Sequence, residues 1–371
     1  MTQTTTAAVP AQEARQAPGS RADRDIKRRR VLDILDSAGR DSLLLISNNA
    51  LAWYLDGSRV HISLAGDPIA ALLVDRDGDH LVTFNNEAGR IAAEELPAQV
   101  NLHTVPWYGN LHQTAAALGS SYRPPLAEAD VTAQLRAARQ QLLPAESARY
   151  SQLSAELAAM MTDVLSAARP ETTEFELVSA LAARVVAAGA EPLVLLCNGS
   201  SRSTFRHPLA THSPLGRRAM AVVCARRDGL VANITRWIRF DAGTPEERDA
   251  EARIAAVEAD IFDATVPGAR LDRIFTEIQA AYARHGFGAD QWEQHHQGGP
   301  AGYAGRDPRV TASATDTVVL DQAFTWNPSG PGVKIEDTVQ LTESGLRVLT
   351  ADPRWPTATV NGLERPLTLQ L

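Results

Sequence analysis

The spacing of hydrophobic and polar residues in the first part of the chain predicts helices that alternate with strands. Apolar residues recur at helical spacing over residues 25–38, and residues 87–95 have a similar pattern. The predicted strands cover residues 42–46, 69–74 and 80–84. Strands that alternate with helices indicate an α/β domain. We assign this domain to residues 25–140.

The second part of the chain has longer helices and more strands. Predicted helices cover residues 142–168, 173–188, 245–266 and 271–285. Predicted strands cover residues 193–197, 219–226, 229–240, 318–320, 322–326, 334–342 and 346–349. Thr173 and Glu176 have the capping-box spacing that opens a helix. We assign residues 141–371 to a second domain.

Composition narrows the classes of function. Residues 1–24 are rich in Thr, Ala, Gln and Pro and lack an apolar signal-peptide core, so we expect a disordered tail and a cytoplasmic location. The formal net charge of −8 argues against a nucleic-acid partner, and no apolar run is long enough for a membrane span. Cys197 and Cys224 have no zinc-binding spacing and are expected to be buried thiols. A small-molecule substrate fits these properties.

Two polar segments follow or form predicted strands. His207 ends a Gly/Ser-rich loop that begins at residue 198, and loops at strand ends often carry catalytic residues. A packed or solvated histidine is the alternative there. In the strand 229–240, alternation places Asn233 and Thr235 on the same face. A hairpin edge with polar side chains is the alternative for this strand.

Two further segments combine glycine with charged and aromatic residues. Residues 292–307 contain two adjacent histidines, then three glycines within five residues, followed by Tyr303 and Arg306. Glycine permits close approach of the backbone to a ligand, and arginine suits a carboxylate, although a flexible loop is the alternative. Asn327 and Glu336 are predicted on facing strands around a Pro/Gly turn. A partly buried carboxylate there is a candidate catalytic group, and a strand-edge salt bridge is the alternative.

In this order, the four segments resemble the creatinase/prolidase/aminopeptidase P family. Its C-terminal domain carries a His-bearing loop, an Asp-x-Thr-Arg strand, a Gly/His loop, and Glu-Pro and Glu-Asp-Thr strands. The matching positions are His207, Asn233-Ile-Thr-Arg236, His296-Gln-Gly-Gly299, Asn327-Pro328 and Glu336-Asp-Thr338. The resemblance covers about residues 26–350. It implies an α+β fold, with a C-terminal pita-bread domain after a smaller α/β domain.

The chain departs from the residues that this family uses to hold metal. Its metal enzymes bind two divalent cations with two Asp, one His and two Glu. The corresponding positions here are Val222, Asn233, His296, Asn327 and Glu336. One carboxylate and two neutral amides do not supply the charge that hard cations need. We therefore predict no catalytic metal and no other cofactor.

Within the family, creatinase is the similar member that works without metal. The resemblance implies that His207 is the general acid/base, and that Glu336 and His296 are further catalytic groups. It also implies a homodimer in which the N-terminal domain of one subunit reaches the other subunit's site. The residues expected to bind substrate are Asn233, Asn327, Arg306, Tyr303 and Arg59.

The sequence therefore predicts a metal-independent hydrolase that cleaves a C–N bond of a small amidine, guanidine or amide-bearing amino acid. Without metal, a lytic or rearrangement reaction is also open. A metal-dependent Xaa-Pro peptidase with an atypical site is one alternative, and the metal content of the purified protein distinguishes it. A non-catalytic binding protein that keeps the pita-bread pocket is the other alternative.

Overall fold

The chain divides into two compact units, Met1–Leu135 and Arg136–Leu371. This computed structural model describes residues 21–119 and 123–371. Of the predicted tail over residues 1–24, residues 1–20 lie outside the described part, and residues 21–24 already belong to the first helix. Within the described ranges, no helix combines the length and the apolar character that crossing a membrane requires.

The first unit is built on a five-stranded mixed sheet. Its helices are α1 (Arg21–Ala38), α2 (Asn48–Tyr54), α3 (Ala88–Glu94) and α4 (Leu111–Ala117). Its strands are β1 (Ser42–Leu45), β2 (Ala70–Asp75), β3 (Asp79–Phe84), β4 (Val100–Val105) and β5 (Leu126–Ala127). The strand order is β4-β3-β2-β1-β5, with antiparallel pairing among β1, β2 and β3 and parallel pairing at both edges. This mixture of helices and strands agrees with the predicted α/β character.

Four elements of the first unit were not predicted, namely α2, β4, α4 and the short strand β5. The polar pair Asn48–Asn49 at the start of α2 is typical of a turn, yet it opens a helix. Ser47 caps that helix, because its side chain accepts a hydrogen bond from the backbone N–H of Ala50. A polar cap followed by a short helix is therefore easily mistaken for a turn.

The second unit contains two four-stranded sheets and four long helices. Helix α5 (Thr132–Gln140) spans the division, and α6 (Pro144–Ser166), α7 (Glu174–Ala187), α8 (Pro245–Ala264) and α9 (Leu271–Arg284) follow. The strands are β6 (Glu191–Asn198), β7 (Arg218–Arg227), β8 (Leu230–Arg239), β9 (Gly298–Ala301), β10 (Ala323–Trp326), β11 (Ser329–Gly330), β12 (Val333–Lys334), β13 (Asp337–Thr342), β14 (Gly345–Val348), β15 (Thr357–Val360), β16 (Leu363–Pro366) and β17 (Leu369–Gln370). One sheet has the order β17-β8-β7-β6, and the other has the order β14-β13-β10-β9.

The two sheets of the second unit meet where β8 passes the chain between β12 and β13. The backbone N–H of Thr235 donates to the carbonyl of Glu336 over 3.0 Å. Nearby, the backbone N–H of Asn233 donates to the hydroxyl of Thr338 over 2.8 Å. This junction places the polar side chains of β8 against Glu336.

Two predicted strands differ from the structure. The strand predicted over residues 334–342 is interrupted between Lys334 and Asp337, because Glu336 pairs with the other sheet there. Residues 318–320 form no strand. Val318 is buried in the core around α8 and α9, and its backbone exchanges hydrogen bonds with residues 268 and 269 instead. Residues 318–320 have the apolar pattern of a strand because Val318 is buried, but they have no sheet partner among the described residues.

Candidate active site

The loop that carries His207 is fixed by a buried carboxylate. Glu174, at the start of α7, is fully buried and accepts hydrogen bonds from the backbone N–H of Gly199 and of Thr211, each over 2.8 Å. The guanidinium of Arg202 pairs with the same carboxylate. These contacts hold both ends of the loop, and His207 lies exposed between them.

Six of the eight predicted site residues line one pocket of ≈ 600 Å³. The six are His207, Asn233, His296, Arg306, Asn327 and Glu336. Residues 193–196 of β6 supply an apolar wall, together with Leu209 and Val222. The pocket therefore combines a polar floor with an apolar side, as small-molecule sites commonly do.

Glu336, the one remaining carboxylate of the family's metal positions, is held by two cations of the chain itself. It is buried, and Arg306 donates to its Oε1 over 2.8 Å. Lys334 Nζ lies 2.7 Å from its Oε2, and the hydroxyl of Thr235 donates to Oε2 over 2.6 Å. Burial alone raises the pKa of this carboxyl, but Lys334 and Arg306 outweigh burial and hold the pKa well below its ordinary value. Glu336 is therefore ionised and fully partnered.

This arrangement does not fit the pair of divalent cations that metal enzymes of the resembled family bind. The other ligand positions are Val222, Asn233 and Asn327, which carry no charge, and only His296 keeps its residue type. Lys334 and Arg306 already neutralise the single carboxylate. Two dications would add four positive charges next to these two side-chain cations, with no further anion to offset them.

Three histidines lie side by side at the pocket. The Nε2 atoms of His207 and His295 are 3.1 Å apart, and the rings of His295 and His296 stack with centroids 4.5 Å apart. Burial, followed by Lys334, lowers the pKa of His207. Burial lowers the pKa of His295 to about 2 and, together with Arg306, that of His296 to about 4. All three imidazoles are therefore neutral at pH 7.

Two polar groups in the pocket are available to a ligand. Asn327 is 2% exposed, and its Oδ1 accepts no hydrogen bond within the part of the chain that the structure describes. Arg309 lines the pocket, and among the described residues its guanidinium forms no hydrogen bond or ion pair. One group can accept a hydrogen bond from a substrate N–H, and the other can bind an anion.

The structure revises the expected roles of two residues. Arg306 was expected to hold a substrate carboxylate and Glu336 to be a further catalytic group, but these side chains pair with each other. Arg309 instead presents the cation without a partner among the described residues. A carboxylate clamp therefore fits Arg309 better than Arg306.

Tyr303, Gly298 and Gly299 contact other parts of the protein rather than the pocket. The Tyr303 hydroxyl is buried and donates to Glu146 at the start of α6 over 2.6 Å. A Cβ on Gly298 would lie 2.1 Å from the carbonyl oxygen of Thr325, at a φ of +96°. These are corrections to the expectation that this segment closes on a ligand, because its close approach is to strand β10.

Arg59 lies in the first unit, where its Nε donates to Glu95 Oε1 over 2.5 Å. Its expected role across a dimer stays a prediction. Both cysteines are free thiols. Cys224 lines the pocket, but burial raises its pKa to about 12, so the thiol is protonated and is a weak nucleophile.

Sequence reasoning missed Lys334, Arg309 and His295. A signal for Lys334 was present, because residues two apart in an extended chain face the same side, and Lys334 precedes Glu336 by two. His295 adjoins His296, but adjacent residues normally point to opposite faces. No pattern in the sequence places Arg309 at the pocket.

The family relationship follows from comparisons with known proteins. The sequence model of metallopeptidase family M24 matches residues 149–343, which is more than half of the chain. No curated protein matches at significant sequence similarity.

Solved structures give the same fold at low sequence identity. The prolidase from Pyrococcus horikoshii OT3 has a TM-score of 0.73 and 16% identity, over 88% of this chain and 99% of that one. The Xaa-Pro dipeptidase from Bacillus anthracis has a TM-score of 0.72 and 14% identity, over 94% and 100%. Dipeptidase PepE from Mycobacterium ulcerans has a TM-score of 0.73 and 18% identity, over 92% and 98%.

These likenesses confirm the predicted α+β class with a C-terminal pita-bread domain. With the family match over residues 149–343, they also confirm the resemblance inferred from the four segments. The chain belongs to metallopeptidase family M24, the creatinase/prolidase/aminopeptidase P family.

Proposed function

We propose that this chain is a metal-independent hydrolase that cleaves a C–N bond of a small, carboxylate-bearing amide, amidine or guanidine compound. The observation that carries the proposal is the ion triad of Glu336, Lys334 and Arg306 beside the neutral imidazole of His207. Two side-chain cations replace the charge that the metal ions of the family supply. A neutral histidine in the same pocket supplies acid–base chemistry.

The pocket's charge supports a substrate with an anionic end. Arg309, Arg306 and Lys334 carry three positive charges, and Glu336 is the one anion among the charged lining residues. The free guanidinium of Arg309 suits a carboxylate, because its donors match the two oxygens. Asn327 Oδ1, buried without a partner among the described residues, suits an N–H of the scissile amide or amidine.

In the proposed hydrolysis, His207 acts as the general base and then as the general acid. Its neutral ring accepts a proton from water as the water oxygen attacks the substrate carbon, so a C–O bond forms. The protonated ring next gives that proton to the departing nitrogen as the C–N bond breaks. Lys334 and Arg306 line the same pocket as His207, so their fixed charges can stabilise negative charge that develops on the substrate oxygen without reorganisation.

The test compares turnover by wild type and two histidine variants in metal-free buffer. His207→Gln should lower kcat by about 10²–10⁴, because it removes the acid/base. His212→Gln is the matched control, since His212 lies in the same loop but outside the pocket and should turn over at the wild-type rate. Arg309→Gln should mainly raise KM.

A chelator should leave wild-type activity intact. Loss of activity in chelator, with recovery on adding Mn²⁺ or Co²⁺, would contradict the proposal. Unchanged turnover in His207→Gln would also contradict it. If no carboxylate-bearing amide, amidine or guanidine is turned over, the non-catalytic binding protein becomes the better interpretation.

A metal-dependent Xaa-Pro peptidase is the second candidate. It is favoured by membership of a metallopeptidase family and by structural likeness to a prolidase and an Xaa-Pro dipeptidase. Two metal ions per chain in the protein purified without added metal, with cleavage of an Xaa-Pro dipeptide, would establish it. The homodimer and the cytoplasmic location also stay predictions.

A further inference from the structure

We propose that His207, His295 and His296 form a binding site for a single transition-metal ion, separate in chemistry from the two-metal centre of the family. The three side chains are the group among the described residues whose His, Cys or carboxylate ligand atoms lie close enough for one ion. The proposed donor set is imidazole alone, without any carboxylate. Only His296 is shared with the positions of the family's metal ligands.

The distances suit a three-nitrogen site. One ligand atom from each ring lies within 4.8 Å of the other two, and the Nε2 atoms of His207 and His295 are 3.1 Å apart. Nitrogens at about 2.05 Å from a tetrahedral Zn²⁺ lie about 3.3 Å from one another. Side-chain rotations that move a ligand atom by about an ångström would therefore bring the three nitrogens to tetrahedral spacing around one ion.

Unpartnered ring nitrogens give an independent reason to expect a ligand. Nδ1 of His295 and Nδ1 of His296 are buried, and neither has a hydrogen-bond partner within the described part of the chain. His295 is only 8% exposed, so bulk water does not form the missing hydrogen bond to its ring. Buried polar groups are normally satisfied, and an ion bound through either of these Nδ1 atoms would supply that nitrogen's missing partner.

The neighbouring charges decide which ions fit. Lys334, Arg306 and Arg309 surround the cluster, and Glu336 is the anion that faces it. This surplus of positive charge repels any dication, and hard cations such as Mg²⁺ and Mn²⁺ would in addition lack the charged oxygen ligands on which they depend. Neutral imidazoles instead suit Zn²⁺, Ni²⁺, Co²⁺ and Cu²⁺. His207 lies at the exposed end of the cluster, so the fourth position of the ion is open to the pocket.

Metal ligation and acid–base catalysis by His207 exclude each other, because both need the same lone pair when the ligating nitrogen is the catalytic one. An ion in this site would therefore inhibit the proposed hydrolase rather than activate it. This distinguishes the site from a metallopeptidase centre, where the ion is required for turnover.

The test uses Co²⁺ as a spectroscopic probe and Zn²⁺ as its competitor on chelator-stripped wild-type protein. We expect one Co²⁺ per chain, with the intense visible absorption of a tetrahedral site, and displacement of that absorption by Zn²⁺. His295→Gln and His207→Gln should each weaken binding roughly tenfold or more. His212→Gln, outside the cluster, should bind as wild type does.

Two results would overturn the proposal. One is the absence of Co²⁺ and Zn²⁺ binding by the folded wild type, and the other is binding that both cluster variants retain at full affinity. His207→Gln guards against a folding artefact, because His207 is exposed and its replacement leaves no cavity. Since absorption is read without substrate, Co²⁺ binding in a chain that shows no turnover would support this site while removing the proposed hydrolase.

Discussion

At the scale of single residues, Lys334 decides how the pocket's charge is balanced. Its ammonium is buried and lies 2.7 Å from Glu336, in a part of the pocket where relatives of this family are expected to bind metal. A buried carboxylate that loses a cation partner becomes costly, because little solvent is available to replace it.

Replacing Lys334 with Met should therefore lower the free energy of unfolding by about 1–3 kcal/mol. The pKa of Glu336 should rise towards its ordinary value, because burial raises it and one of two opposing cations is gone. Lys334→Arg, which keeps the charge, is the control. Urea unfolding at pH 7 measures the effect, and equal midpoints for wild type and Lys334→Met would contradict it.

Single residues also show how far the sequence could predict this site. His207, Asn233, His296, Asn327 and Glu336 were identified from their order along the chain, and they do line one pocket. Which of them are free to bind substrate was not predictable, because that depends on distances between separate segments. The pairing of Arg306 with Glu336 and the freedom of Arg309 are examples.

At the scale of elements, the first turn of α7 anchors the loop that carries His207. Glu174 binds the backbone at both ends of the segment that carries His207, so the loop's shape depends on a helix that contributes no lining residue to the pocket. Rigid support of this kind determines how well a catalytic group is aligned.

Glu174→Gln should therefore reduce kcat of the proposed hydrolase by roughly tenfold or more, through misplacement of His207. It should also destabilise the fold by about 1–3 kcal/mol, since an amide cannot accept all of the same hydrogen bonds. Glu176→Gln is the control, because Glu176 lies in the same helix turn and contacts the Thr173 cap instead. Wild-type kcat in Glu174→Gln would argue against the anchoring role.

The start of α8 offers a test of pH dependence. Thr244 and Glu247 form a capping box there, and hydrogen bonding to Arg217 lowers the pKa of Glu247 from 4.5 to about 2. A depressed carboxyl pKa stabilises the folded state above pH 4.5, and this contribution is lost as the pH falls towards 2.

Glu247→Gln keeps the cap but removes the charge, so its destabilisation at pH 7 should be below about 1 kcal/mol because the pair is partly exposed. The difference between wild type and variant should shrink steadily below pH 4.5. Urea midpoints measured from pH 7 down to the acid limit of folding would check this, and a difference that grows with acidity would exclude it.

Elements were predicted best where local signals agree with their tertiary partners. The Thr173/Glu176 capping box forms, and α7 begins and ends within about two residues of the prediction. The predictions for residues 318–320 and for the Ser47-capped helix α2 were wrong for opposite reasons. The first has a strand-like pattern but no sheet neighbour, and the second has polar residues that cap a helix rather than form a turn.

At the scale of the whole molecule, a buried ion network joins distant parts of the second unit. Asp337 in β13 accepts hydrogen bonds from Arg236 in β8 and from Arg365 in β16, each over 2.8 Å. Arg365 also binds Glu258 in α8 through two nitrogens. All four side chains are buried, so the network ties the two sheets to a helix and to the C-terminal hairpin.

Asp337→Asn should destabilise the second unit by about 3–5 kcal/mol, because two buried guanidinium groups lose their shared anion. Thermal unfolding followed by circular dichroism would measure this. Asp352→Asn is a milder control, since that carboxylate pairs with an exposed arginine, Arg354. If both variants unfold at the same temperature, the network is not a major source of stability.

The side-chain cations at Glu336 have a consequence for how the protein matures. An ion taken from solution has to be delivered, can be exchanged for a competitor, and is lost on dilution. An ammonium and a guanidinium on the polypeptide reach their carboxylate as soon as the chain folds, in every copy and in fixed proportion. The charge balance around Glu336 is thus set by the polypeptide itself.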